Sequence, residues 1–117
     1  MDYKFSGNQL IIDFIDCQCK ILDDSKEIMQ LLQKCVKTVG ATPLKKMSYK
    51  FKPQGVSAII LLAESHAALY SYPEHGSAFF DFFTCGETLD PKKCLPALLE
   101  ALHPLKYFIK ILKRGKT

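Results

Sequence analysis

Two apolar runs, each ended by a cluster of polar residues, constrain this chain more than any other feature. Val56 to Ala63 is largely apolar and stops at Glu64-Ser65-His66, and a second run, Ala78 to Phe83, stops at Thr84-Cys85-Gly86. Runs of this length bounded by turn residues predict buried strands, and strand ends are where folds commonly place chemistry. Paired side by side, the two strands bring Ser65, His66 and Cys85 together at one edge of a sheet.

The flanking sequence alternates strand and helix. Leu10 to Ile15, bounded by Ser6-Gly7-Asn8 and Asp16, reads as a strand. Asp24 followed by Glu27 is a capping-box-like start, and Ile28, Leu31, Leu32, Cys35, Val36 and Val39 then recur at helical spacing as far as Gly40. After Thr42-Pro43, Lys45 to Lys52 reads as a strand with Met47, Tyr49 and Phe51 on one face, and Pro53-Gln54-Gly55 turns the chain into the central run. Gly86-Glu87-Thr88 reads as a loop. Asp90-Pro91 suits an N-cap followed by proline at the first helical position, opening a helix through Leu95, Leu98, Leu99 and Leu102 to His103-Pro104. Pro96 conflicts with that helix, because a proline past the first turn kinks or restarts it. Lys106 to Lys113 reads as the last strand.

The expected fold is α/β of the α+β kind: a two-layer sandwich of a mainly antiparallel sheet with two helices on one face, in a single domain spanning residues 1–117. Phe79, Phe80, Phe82 and Phe83 occupy both faces of one strand. The face without helices is therefore expected to be covered by another copy, giving a dimer formed sheet to sheet.

Composition narrows the class of function. Apolar residues at 48% and charged residues at 24% are ordinary for a soluble domain, and no segment approaches the roughly 20 apolar residues of a membrane span. Met1-Asp2-Tyr3-Lys4-Phe5 lacks the basic region and apolar core of a signal peptide, so a cytoplasmic location is expected. The five cysteines, Cys17, Cys19, Cys35, Cys85 and Cys94, are odd in number and form no CxxC pair, which fits reduced thiols. The net charge of +4 comes largely from Lys106, Lys110, Lys113, Arg114 and Lys116. Lys106, Phe108, Lys110 and Leu112 share one strand face and Tyr107, Ile109, Ile111 and Lys113 the other, so this run reads as a strand with a basic tail rather than a nucleic-acid patch.

No glycine-rich phosphate loop, metal-ligand cluster or low-complexity segment is present in the sequence, and no metal is expected. A serine hydrolase is disfavoured: the nucleophile elbow needs glycines two residues either side of the serine, where Ala63 and Ala67 stand. Ser65 and His66 also point to opposite faces of an extended chain. From composition alone Cys85 reads as a buried apolar thiol.

Several motifs together resemble the short bacterial and archaeal type of S-adenosylmethionine decarboxylase, which makes its own pyruvoyl cofactor. They run from Asp13-Phe14-Ile15-Asp16-Cys17 to Asp90-Pro91; the most specific are Gly55-Val56-Ser57, Ala63-Glu64-Ser65-His66, Tyr72-Pro73-Glu74 and Phe83-Thr84-Cys85-Gly86. The resemblance implies a zymogen in which the Ser65 hydroxyl attacks the Glu64 carbonyl and converts the peptide bond to an ester. Elimination then cuts the chain into 1–64 and 65–117, and Ser65 becomes a pyruvoyl group. That ketone forms a Schiff base with the substrate amine and draws electrons from the bond to the carboxylate. The product is decarboxylated S-adenosylmethionine for polyamine, hence spermidine, synthesis.

The resemblance also assigns roles by position. Cys85 is the proton donor to the carbanion left by carbon dioxide; Ser57 assists self-cleavage; Phe51 and Tyr72 sandwich the adenine; Glu74 holds the ribose hydroxyls; and His66 goes with the substrate-binding set. Read without it, Phe51 and Tyr72 are core or turn aromatics and Glu74 a solvated loop residue. The family usually has tryptophan at the position of Tyr72. It has a histidine five residues after the cleavage serine, to take the proton during elimination, and here Tyr70 stands there. Imidazole is a usable base near neutrality and a phenol is not. His66 and His75 are the candidates to replace it, and nothing in the sequence places either within reach of Ser65. Two alternatives stay open: the same apparatus acting on ornithine or arginine, and an uncleaved, non-catalytic relative.

Overall fold

The computed structural model describes residues 5–86 and 88–115, so the readings that rest on Met1 to Lys4, on Glu87 and on Lys116 lie outside the described residues. The elements are β1 (Ser6–Cys17), α1 (Ser25–Val39), β2 (Pro43–Lys50), β3 (Val56–Leu62), β4 (Ser65–Tyr72), β5 (Ser77–Cys85), α2 (Leu95–Leu102) and β6 (Pro104–Gly115), with 3₁₀ turns at Pro73–His75 and Pro91–Cys94. The strands form one sheet in the order β2-β3-β4-β5-β1-β6, every neighbouring pair antiparallel.

Local chemistry fixes the helices where the periodicity places them. The Asp24 carboxylate accepts the Lys26 and Glu27 backbone N–H groups, each at 3.1 Å, and Gly40 ends α1 at φ +87°, in the left-handed region where it needs no Cβ. The conflict at Pro96 is resolved by a restart. Asp90 caps the 3₁₀ turn through the Lys92 N–H, and α2 begins at Leu95, which puts Pro96 in its first turn, where the missing N–H is not required.

Alternation along the strands sorts their residues between two faces. Leu10, Ile12, Phe14, Ala58, Ile60, Leu62, Ala67, Leu69, Phe80 and Phe82 point toward the helices and are at most 2% exposed. Together with Ile28, Leu32, Cys35, Val36, Leu98 and Leu102 they make one core, and each large side chain contributes about 1.5–3 kcal/mol by leaving water. On the opposite, open face, Met47, Tyr49, Ile59, Leu61, Phe79 and Phe108 remain 41–71% exposed. The edge strand β6 shows apolar groups on both sides, since Tyr107, Ile109 and Ile111 are also exposed.

Three expectations need correction. The two apolar runs do not pair: β4, which the sequence reading did not recognise as a strand, lies between β3 and β5. Ser65, His66 and Cys85 accordingly lie at the ends of central strands, not at a sheet edge. Phe51 falls just past the end of β2, in the turn toward β3. The first and last strands extend well beyond Leu10–Ile15 and Lys106–Lys113, because polar residues taken as boundaries still pair, as Ser6 does with Gly115 and Cys17 with Pro104.

Candidate active site

β3 and β4 are joined by only two residues, Ala63-Glu64, and Glu64 sits at φ +64°. For a residue with a Cβ this left-handed conformation costs about 1–2 kcal/mol, so the peptide leaving Glu64 begins from a strained backbone. Ser65 opens β4, and its hydroxyl donates back across the turn to the Ala63 carbonyl at 3.4 Å. His66 follows on the open face. His66 pairs with Phe83, so Cys85, two residues further along β5 on the same face, lies level with the Glu64 turn. Across β1, Cys85 faces Gly7. A Cβ on Gly7 would come within 2.6 Å of both the Phe83 ring and the Thr84 carbonyl oxygen; only glycine lets β1 lie this close.

A chain of polar contacts crosses the open face toward this turn. Arg114 Nη1 on β6 donates to Gln9 Oε1 on β1 at 2.5 Å, and Gln9 Nε2 donates to Asp81 Oδ1 on β5 at 2.9 Å. Asp81 Oδ2 then meets His66 Nε2 on β4 at 3.2 Å. A carboxylate only accepts, so His66 Nε2 carries the hydrogen and Nδ1 is the acceptor of the neutral ring. Phe83 lies among these groups, 6.2 Å from the His66 ring and 5.9 Å from the Arg114 guanidinium carbon. The sequence singles out neither Gln9 nor Asp81, and Arg114 only as part of a basic tail: the three lie on different strands, and only the register reveals that they line up.

The remaining candidates gather at the other end of the same strands. Ser57 and Tyr70 are direct cross-strand partners on the open face. Tyr72 packs against Phe79 at 5.0 Å, Phe51 against Tyr49 at 4.8 Å, and Glu74 is exposed in the 3₁₀ turn after Tyr72. The Phe51 turn is pinned by Asp23, whose carboxylate accepts the Gly55 N–H at 2.8 Å and the Lys50 ammonium at 2.9 Å. The Gly55 bond first, then Lys50, hold the Asp23 carboxyl below its ordinary range. Buried Ser71, also not anticipated, accepts the Val56 N–H at 3.0 Å and donates to the Leu22 carbonyl at 2.5 Å, fixing β4 at this end. At about 3.3 Å per residue, the five positions from Ser65 to Tyr70 span roughly 16 Å. One chain therefore carries two half-sets: Glu64, Ser65, His66 and Cys85 at the hairpin end, and Phe51, Ser57, Tyr70, Tyr72 and Glu74 at the far end. His66 stands apart from the substrate-binding residues with which it was grouped.

Among the thiols, Cys17 is pushed up to about 11 by burial, helped by Cys19 and Asp16, and Cys35 is pushed up by its hydrogen bond with Cys94 and by burial. These thiols stay protonated inside the core, whereas Cys85 is half-buried on the open face. Among the described residues no group of three His, Cys, Asp or Glu side chains is placed to hold a metal ion, and no helix is long and apolar enough to cross a membrane. A cleft of about 560 Å³ between the end of α1 and β2 contains none of the candidate residues.

The comparisons with known proteins match this architecture. The S-adenosylmethionine decarboxylase family model matches residues 8–115. An S-adenosylmethionine decarboxylase proenzyme of Methanococcus aeolicus is 38% identical over 96% of this chain and 96% of its own, and one of Brevibacillus brevis is 36% identical over 98% and 86%. The crystal structure of the adenosylmethionine decarboxylase from Aquifex aeolicus superposes with a TM-score of 0.87 at 27% identity, covering 97% of this chain and 94% of that one. The Trypanosoma brucei AdoMetDC-delta26 monomer, at 14% identity and TM-score 0.58, shares the fold over 92% of this chain and 45% of its own. The chain belongs to the S-adenosylmethionine decarboxylase family. None of these relatives favours the ornithine, arginine or non-catalytic alternatives.

Proposed function

We propose that the protein is a self-processing carboxy-lyase that converts S-adenosylmethionine to its decarboxylated form, using a pyruvoyl group made from Ser65, and so supplies polyamine synthesis in the cytoplasm. The observation that carries this reading is the left-handed Glu64 at the tip of a two-residue hairpin, with the Ser65 hydroxyl folded back over the same turn. Attack of Ser65 Oγ on the Glu64 carbonyl releases the strained amide as an ester. These residues fit the group that elimination would leave: a keto group at position 65, the first residue of β4, beside the Glu64 turn with which Cys85 is level. Bound there, it supplies an electron sink for the carbon that loses carbon dioxide. Cys85 holds at Sγ the proton that the carbanion takes up.

The far half-set cannot reach Ser65 across roughly 16 Å of its own strand. A second copy, packed sheet to sheet in the opposite sense, would bring its Phe51, Ser57, Tyr70, Tyr72 and Glu74 to the first copy's hairpin end. It would also cover Ile59, Leu61 and Phe79. The homodimer thus completes two sites, with Phe51 and Tyr72 stacking the adenine and Glu74 accepting from the ribose hydroxyls. Intact-mass measurement on purified protein tests the reading. Two fragments, 1–64 and a carbonyl-bearing 65–117, are expected together with carbon dioxide release from S-adenosylmethionine; a chain that stays whole after days in neutral buffer refutes it.

A further inference from the structure

Resting on the self-processing reading, we infer that His66, held by Asp81, is the base that removes the Ser65 α-proton during self-cleavage, taking over the task for which Tyr70 is unsuited. A phenol is a poor proton acceptor at neutral pH, and a base must still be found for the elimination step. His66 is covalently next to Ser65. Its Nε2–H is engaged by Asp81 Oδ2 at 3.2 Å, and Asp81 is itself held through Gln9 to Arg114. This fixes the tautomer: Nδ1, the ring nitrogen nearer the backbone, is left as the acceptor.

The opposite-face rule that separates the Ser65 and His66 side chains does not apply to this proton. It sits on the Ser65 Cα, which is about 3.8 Å from the Cα of His66, and in a strand the Cα–H lies near the sheet plane, open to both faces. In the ester formed between Ser65 Oγ and the Glu64 acyl carbon, His66 Nδ1 takes the Cα proton. The electron pair forms the Cα=Cβ double bond, the Cβ–Oγ bond breaks, and Glu64 leaves as a carboxylate. The resulting dehydroalanine shifts to the imine and adds water, releasing ammonia and leaving the keto group. Asp81 is a positioning residue here: it fixes the ring and stabilises the imidazolium that forms.

The test follows self-cleavage of the full-length chain by intact mass, with hydroxylamine added to aliquots to release ester-linked 1–64 as its hydroxamate. For His66→Gln the rate of cleavage is expected to fall about 100-fold or more, with a hydroxylamine-sensitive ester accumulating, and Tyr70→His in the same chain is expected to restore cleavage. Cleavage of His66→Gln at the wild-type rate overturns the assignment, and so does a stall with no ester formed, which would place His66 before the elimination. Should His66→Gln melt well below wild type, Asp81→Asn carries the same test: slower cleavage with trapped ester supports the assignment, and unchanged cleavage overturns it. A wild-type chain that never cleaves refutes the decarboxylase reading as well, whereas a wild type that cleaves beside an unaffected His66→Gln removes only this inference.

Discussion

Along β5, alternate residues live in different worlds. Ala78, Phe80, Phe82 and Thr84 face the helices and are at most 1% exposed, while Phe79, Asp81, Phe83 and Cys85 face the open side and stay in reach of solvent. The same contrast holds on β4, where Ala67, Leu69 and Ser71 are core and His66 and Tyr70 are not. One face is apolar and filled by the chain's own helices; the other carries aromatics, a four-residue polar chain and the candidate residues His66, Tyr70 and Cys85, and its apolar area is exposed in the single chain. On β5, and on β4 beyond Ser65, core and exposed candidate residues are thus separated by the parity of residue number, and substitutions one position apart there should fail in different assays.

The sharpest break is at Cys85. Cys85→Ala leaves the core intact and should leave self-cleavage intact, yet lower carbon dioxide release from S-adenosylmethionine by about 10²–10⁴-fold, the usual contribution of a positioned acid. Unchanged turnover would remove Cys85 from the chemistry and with it the functional character of the open face. On the other parity, Phe82→Ala should cost about 3–5 kcal/mol of unfolding free energy, against about 1 kcal/mol for half-buried Phe83→Ala. Urea titration in an uncleaved Ser65→Ala background compares them; equal losses would mean that the two faces do not divide the labour.

A charge placed at the centre of the open face sharpens the comparison further. Ile59 is 43% exposed in the single chain, so Ile59→Lys should barely move the melting temperature of the protomer. Buried between two sheets, the same lysine should weaken self-association by about 30-fold or more, measured by sedimentation equilibrium. It should also lower turnover in step with the loss of dimer. A wild-type chain that sediments as a monomer while fully active would show that the two half-sets never needed each other.

How much of this was legible beforehand depends on whether the determining contact is local. α1 was readable in full because its cap, its stripe and its terminating glycine all lie within one stretch, Asp24 to Gly40. β4 was not: Ala67, Ala68 and Leu69 are consecutive and all fully buried, so a strand buried on both faces shows no alternation, and the small Ala68 on the open side hides beneath larger neighbours. The family motifs assign the site residues to positions along the chain but say nothing of where those positions meet in space. Their separation into two ends follows from hairpin register, which no motif records. The strained Glu64 conformation and the Arg114–Gln9–Asp81–His66 chain were equally invisible, since one depends on turn length and the other on pairing across residues 9, 66, 81 and 114.

The smallest expected effect tests the far end. Asp23 holds the turn that carries Phe51 through the Gly55 N–H and the Lys50 ammonium, and those bonds favour its charged form, so its folded pKa lies below the unfolded value of 3.8. The sign follows from that order. The unfolded chain binds the proton first on acidification, so the stabilisation is fully present above the unfolded value and is lost as pH falls through the folded one. The group is solvent-exposed, which keeps the contribution modest. For Asp23→Ala the melting temperature should therefore fall slightly and by the same amount between about pH 5 and pH 7, and the gap to wild type should close on further acidification. If the proposed function is right and Phe51 stacks the adenine, the turn acts on binding and not on the reacting bond, so KM for S-adenosylmethionine should rise about two- to fivefold with kcat nearly unchanged. A fall in kcat with KM unmoved would place the Phe51 turn at the chemistry instead of at the base.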